Sequence, residues 1–220
     1  MSIELKKRII TSFILSFLLT LMFYYSFIMI TALILIAIIT WIEFYALISK
    51  IIKKNSYKDR FFRFLFKSTS LLYLSILVCV IFYIESYHSN LKILILYSIL
   101  VAIFSDIGGL IFGKTFKGKK LTKISPNKTI SGSIGSFFFS LLLVPLFYSK
   151  LGEYNFLILT LITIIISLIS QLGDLFISYL KRKAKVKDTS DILPGHGGFL
   201  DRLDGIIFAI PIGILLFNYL

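Results

Sequence analysis

The sequence predicts an all-α polytopic membrane protein with about seven transmembrane helices, the N-terminus cytoplasmic and the C-terminus outside. Three observations predict it. The 220 residues are 57% hydrophobic, with a mean hydropathy of +0.91 and only 16% charged, a balance foreign to a soluble domain of this size. Apolar runs long enough to cross a hydrocarbon core of ~30 Å at ~1.5 Å per residue recur along the chain. The 24 Lys and Arg residues are segregated: 22 fall on one side of the membrane if seven spans alternate.

The runs lie at about 9 to 25, 27 to 48, 69 to 86, 91 to 112, 134 to 149, 155 to 180 and 206 to 220. The first follows Lys6, Lys7 and Arg8, a basic start like that of a signal peptide. No small-residue cleavage site follows it, so it is expected to stay as an anchored helix. Seven cations then fall between Lys50 and Lys67, six between Lys114 and Lys128, and six between Lys181 and Arg202, whereas Lys92 and Lys150 stand alone in the alternate connections. The rich loops belong in the cytoplasm of a cell-membrane (inner-membrane) protein. The net charge of +13 is therefore a topology signal, and no nucleic-acid partner is expected. Residues 1–112 carry about four spans, and residues 113–220 carry about three with two cytoplasmic loops, all as one integrated membrane domain. The single cysteine, Cys79, lies in an apolar run and is expected to pack there.

An ionisable group inside a span costs several kcal/mol and is by default a functional candidate. Glu43, Asp106 and Asp174 each stand about five to eight residues before the cytoplasmic end of a run, hence at similar depth, while Glu85 stands at an outer end and is expected to be solvated. Glu43 is equally open to a structural pairing. Gln171, Asp174, Ser178, Lys181 and Arg182 recur at steps of three and four, so they share one helix face.

The one long polar passage runs from Ser178 to Asp204 and gathers Lys187, Asp188, His196, Asp201, Arg202 and Asp204 around Pro194, Gly195, Gly197 and Gly198. Glycines let backbone N–H groups approach an anion closely. Asp201 and Asp204, three apart at the expected start of the final helix, share a face and can bind one hard cation together with Asp174. Oxygen ligands of this kind suit Mg²⁺, which keeps waters and bridges to phosphates. His196 is expected to contact a phosphate or hold the loop.

The order Ser178-x-Leu180-Lys181-Arg182, Lys187-Asp188, Leu193-Pro194-x-His196-Gly197-Gly198-Phe199-x-Asp201-Arg202-Leu203-Asp204 resembles the signature of the phosphatidate cytidylyltransferases (CDP-diacylglycerol synthases). The resemblance extends upstream to Asp106 with Gly108 to Gly113, and to Ser125-Pro126-Asn127-Lys128-Thr129, similar to the family's S-P-K-K-T segment. Two departures stand out: Asn127 where Lys is common, and Ile130-Ser131-Gly132 where the family usually has Trp-Glu-Gly. The chain is short beside typical members, and the shortfall is expected among N-terminal helices.

The resemblance implies transfer of a cytidylyl group from CTP to phosphatidate, giving CDP-diacylglycerol and pyrophosphate in phospholipid biosynthesis. It implies Asp174, Asp201 and Asp204 at a divalent metal, with K⁺ as a candidate second ion, and Ser178 assisting. Lys181, Arg182, Lys187, His196 and Arg202 would meet phosphates of CTP or lipid. Ser125, Lys128 and Thr129, with Gly197 and Gly198, would hold the nucleotide. Asp106 and Glu43 are further candidates, and a homodimer is a candidate assembly. Polyprenol kinases that use CTP and CDP-alcohol phosphatidyltransferases offer an alternative lipid acceptor, although Asp204-Gly205 lacks the Arg of the latter's motif. An ion-coupled transporter would need acids accessible from both faces, whereas these all lie towards one.

Overall fold

The structure is a computed structural model and describes residues 3–53, 56–87, 91–122, 125, 128–151, 154–195 and 197–219. Among them the regular structure is entirely helical: α1 Ile3–Tyr24, α2 Ser26–Ile51, α3 Tyr57–Tyr87, α4 Lys92–Thr115, α5 Ile130–Leu141, α6 Leu143–Tyr148, α7 Phe156–Lys183, α8 Leu200–Leu203 and α9 Ile206–Tyr219. Five segments are long and apolar enough to cross a membrane: α2, α3, α4, α7 and the α5–α6 pair taken as Ile130–Tyr148. The other two expected spans are shorter. The apolar part of α1 is Ile9–Tyr24, and α9 has 14 residues, about 21 Å of helix.

The chain forms two compact units, Met1–Ser89 with Leu180–Arg202, and Asn90–Tyr179 with Leu203–Leu220. In the first, α1 leads into α2 through Tyr25, whose extended backbone (φ −119°, ψ 106°) bends the chain while Met29 N–H still reaches its carbonyl at 3.0 Å. α2 packs on α3. The Trp41 indole donates to the Lys67 carbonyl at 3.1 Å, and the Lys67 ammonium lies 3.1 Å from the centre of the Tyr45 ring. The basic stretch expected as loop up to residue 69 is instead the start of α3, which begins at Tyr57. Its cations line a helix end, in the manner of side chains that reach from apolar stems to the headgroups. Phe27, Leu35, Ile38, Phe64, Leu72 and Ile76 are exposed on α2 and α3, an apolar surface suited to lipid. Cys79 is exposed on α3 as well, contrary to the packing expected of it. Glu85 is more than a solvated end group, because Ser26 Oγ donates to its Oε1.

In the second unit the core gathers Tyr97 and Val101 of α4, Val144 of α6, Leu159, Ile162 and Ile166 of α7, and Ala209 and Phe217 of α9. Tyr97 is fully buried and its hydroxyl lies 2.6 Å from Thr163 Oγ1, which satisfies the one polar atom it brings inside. α4 and α5 approach through glycines. A Cβ at Gly108 would run into the Gly135 carbonyl, one at Gly135 into Phe112, and one at Gly132 would stand 2.8 Å from the Gly109 oxygen. Small residues of this kind let helix backbones come together where lipid offers no hydrophobic drive to do so.

Candidate active site

α7 stops because Lys185 takes a left-handed conformation (φ 57°), with Val186 N–H on the Lys181 carbonyl at 3.0 Å and Lys185 N–H on that of Arg182 at 3.1 Å. The chain then turns at Leu193–Gly197, where Leu193 N–H donates to Gly197 O at 2.8 Å and Gly197 N–H returns the bond to Leu193 O at 3.1 Å. Gly195 (φ 78°) and Gly197 (φ 82°) supply the positive φ angles that this turn requires. From α1, Thr11 Oγ1 donates to the Pro194 carbonyl at 2.9 Å.

The glycine-rich loop does cradle anions, and the protein supplies them. Asp201 Oδ2 accepts Gly198 N–H at 3.0 Å, Thr189 N–H at 2.8 Å and the Thr189 hydroxyl at 2.9 Å, while its Oδ1 meets the Lys181 ammonium at 2.6 Å. Burial pushes the Asp201 carboxyl up, but the Lys181 ammonium and the two backbone N–H groups outweigh it and leave the group below the usual carboxylate range. Glu43, only 3% exposed, accepts Ser190 Oγ at 2.5 Å and Phe199 N–H at 3.1 Å on Oε1 and Leu200 N–H at 2.8 Å on Oε2, where the same Thr189 hydroxyl that meets Asp201 also lies at 3.0 Å. A Cβ at Gly198 would stand 2.6 Å from Oε1 and 2.5 Å from Oε2 of Glu43, so only glycine lets the backbone pass over this carboxylate.

Several expectations change as a result. The Gly197 and Gly198 N–H groups expected at the nucleotide are committed to Leu193 and Asp201. The final helix begins at Ile206, past both aspartates expected at its start, and Asp201 sits in the short α8. Asp201 belongs to the first unit, and Asp174 and Asp204 to the second. Arg182, Lys187 and Arg202 are exposed. His196 lies outside the described residues, as does Asn127. Thr11, Thr189 and Ser190 were not singled out from the sequence, and nothing in their spacing marks them.

The second unit holds a cavity of about 630 Å³, lined by Asp106, Gly109 and Gly113 of α4, by Ser125, Lys128 and Thr129 before α5, by Gly132 and Ser133 of α5, and by Gln171 and Asp174 of α7. The segment before α5 reaches it through a short antiparallel pairing, with Leu121 N–H on Lys128 O at 2.8 Å and Ile130 N–H on Lys119 O at 3.0 Å. Thr129 then caps α5 by accepting Gly132 N–H at 3.0 Å, and Ser131, at a departure from the family pattern, donates to the Lys117 carbonyl. Lys128 forms an ion pair with Asp174 Oδ2, and Ser178 Oγ donates to Asp174 Oδ1 at 3.2 Å, so the face expected from the spacing of Asp174 and Ser178 is formed. Gln171 accepts Ser133 Oγ at 2.6 Å and reaches Ser167 Oγ at 3.4 Å, which in turn meets Ser105 Oγ at 3.0 Å. Asp204 is buried and accepts Gly205 N–H at 2.9 Å. Two cations, Lys114 and Lys128, with two carboxylates and a cluster of hydroxyls in the lining of one cavity suit phosphate groups and a hard metal.

The profile of the cytidylyltransferase family matches residues 2–220. The chain belongs to the cytidylyltransferase family. A phosphatidate cytidylyltransferase of Staphylococcus haemolyticus is 48% identical over 121 residues, 54% of this chain and 46% of its own length. That of Staphylococcus aureus strain COL is 47% identical over the same number, with the same coverage. That of Rickettsia typhi is 40% identical over 143 residues, 61% of this chain and 62% of its own. The chain thus spans about half the length of the first of these curated relatives, and somewhat more of the last.

The donors that the structure brings together decide whether a divalent cation fits. Among the described residues no three His, Cys, Asp or Glu side chains converge as a metal cluster. Asp106 and Asp174 nevertheless line one cavity, and Mg²⁺ is commonly held by one or two carboxylates with waters and substrate phosphates completing its shell. The cavity's oxygen donors fit that mode. Asp201, with both oxygens engaged by the loop and Lys181, fits it less well.

Proposed function

We propose that this protein transfers a cytidylyl group from CTP to phosphatidate, giving CDP-diacylglycerol and pyrophosphate. The observation that carries the reading is the family match across residues 2–220, supported by relatives of that name and by the cavity between α4, α5 and α7. In the reaction a phosphate oxygen of the lipid attacks the α-phosphorus of CTP. A new P–O bond forms, and the bond to the bridging oxygen breaks with its electron pair leaving on pyrophosphate. No protein nucleophile is needed. The protein's work is alignment and neutralisation of charge.

In this reading Lys128, freed from Asp174, takes a phosphate, and Ser125 and Thr129 border the same space. Asp174 and Asp106 would hold Mg²⁺, which supplies charge neutralisation at the phosphates. Potassium is a candidate second ion, and Asp204 stands in reserve as a ligand. Lys181, held by Asp201, is proposed together with Arg182, Lys187, Arg202 and His196 as a cation for phosphates outside this cavity. Seven spans with the N-terminus and the basic loops in the cytoplasm would present the site to CTP, while the acyl chains remain in the bilayer.

The test is conversion of CTP and phosphatidate by the detergent-purified protein with Mg²⁺, beside Asp174→Asn and a chelated sample. Metal-dependent CDP-diacylglycerol formation that is lost in the variant supports the reading. No product with phosphatidate but turnover of CTP with a polyprenol would replace the acceptor.

A further inference from the structure

We propose that Glu43 is a positioning residue for cytidylyl transfer that acts on the Lys181 ammonium through Thr189 and Asp201, an inference resting on the reaction proposed above. Glu43 is 3% exposed and so meets no substrate itself. Its two oxygens take two donors each, from Thr189, Ser190, Phe199 and Leu200. A carboxylate accepts at both terminal atoms, whereas glutamine would turn an NH₂ donor towards two of these donors.

The contacts continue beyond the loop. Thr189 Oγ1 stands 3.0 Å from Glu43 Oε2 and 2.9 Å from Asp201 Oδ2, and Asp201 Oδ1 stands 2.6 Å from Lys181 Nζ. The sequence Glu43, Thr189, Asp201, Lys181 is an unbroken run of polar contacts. A hydroxyl has one proton to donate, so Thr189 shares it between two carboxylates, and a shift of either carboxylate changes what holds the other. A cation fixed before substrate arrives stabilises charge that develops in the transition state without reorganising at that moment. Misplacement by about 1 Å costs about a hundredfold in rate. Glu43 therefore bears on turnover more than on nucleotide affinity.

The experiment uses the full-length chain with Glu43→Gln, Thr189→Val, the double variant and Thr189→Ser, assayed with CTP, phosphatidate and Mg²⁺. Each of the first two is expected to lower kcat by about tenfold to a hundredfold with the KM for CTP changed by less than about threefold. The double variant is expected to be no worse than the poorer single, and Thr189→Ser, which restores the hydroxyl, to recover most of the turnover lost in Thr189→Val. A raised KM at unchanged kcat, losses that multiply in the double variant, or a Thr189→Ser enzyme as poor as Thr189→Val overturns the proposal.

A second measurement does not depend on the reaction. Leu193, 8% exposed in the loop, is replaced by Cys in a Cys79→Ser background and labelled with a charged maleimide. Adding Glu43→Gln or Thr189→Val is expected to speed labelling by about tenfold or more, as local opening of the loop becomes easier. Equal rates overturn the proposal. If the unsubstituted protein makes no CDP-diacylglycerol, the reaction reading falls, and labelling alone decides whether Glu43 presets the loop.

Discussion

The carboxylate of Glu43 accepts the backbone N–H of Leu200 at 2.8 Å across 157 residues of sequence. This contact and the three beside it tie the most recognisable segment of the chain to α2, far from the signature itself. The loop's geometry is thus written partly in residues that the signature does not contain.

Gly198→Ala tests that dependence from the loop side. The added Cβ would run into Thr189 Oγ1 and stand 2.5 to 2.6 Å from the Glu43 oxygens, so these two linked side chains or the loop must move. The variant is expected to lose about 1–3 kcal/mol of stability, read by thermal unfolding in detergent, and most of its turnover. A fully active, equally stable variant would show that the loop does not ride on Glu43.

The α4–α5 contact gives a second expectation. Gly135→Ala drives a methyl group into Phe112 and the Gly108 carbonyl, where two backbones leave no room to relax. A cost of about 1–3 kcal/mol is expected, against less than about 0.5 kcal/mol for Leu110→Ala at an exposed position. Paired unfolding scans distinguish the two.

Lys128 and Asp174 form an ion pair in the cavity lining, and removing either is expected to act differently. Lys128→Ala should raise the KM for CTP by about tenfold or more, since it removes a phosphate partner present in the ground state. Asp174→Asn should lower kcat by about a hundredfold or more and weaken the dependence on Mg²⁺. Steady-state kinetics over a range of CTP and metal concentrations read both.

Asp201 sets a pH dependence of stability. Its folded-state pKa lies below the ordinary value of 3.8, so its ionised form stabilises the fold above that value. This stabilisation is lost as pH falls below 3.8 and through the folded-state value. Thermal unfolding of the unsubstituted protein should therefore fall in this acid range, and the fall should be shallower in Asp201→Asn. Parallel profiles would remove Asp201 from the account.

Much of this was legible in the sequence. Helical class followed from long apolar runs, and the stripe of Asp174 and Ser178 from spacing alone, because a helix imposes its period on any face it presents. Glu43 announced itself as an acid in an apolar run, but its partners lie about 150 residues away and no local pattern reveals a tertiary hydrogen bond. The glycines were read as room for a substrate phosphate. The structure shows them making room for Asp201 and Glu43, since glycine spacing reports closeness to an anion without saying whose anion it is. The start of α3 was misplaced for a simpler reason. Cations in its first turns break the apolar run without breaking the helix, and lysine and arginine are good helix formers.

Glu43 also has a history during synthesis. Its hydroxyl partners Thr189 and Ser190 follow it by 146 and 147 residues, about seven to thirty seconds of translation. For that interval α2 must enter the bilayer with an acid that has not yet met its donors, at a cost of a few kcal/mol. Replacing Glu43 by leucine would ease insertion of α2 and leave the later loop without its mould. Ease of making the nascent helix and order in the finished loop therefore pull in opposite directions at this one position.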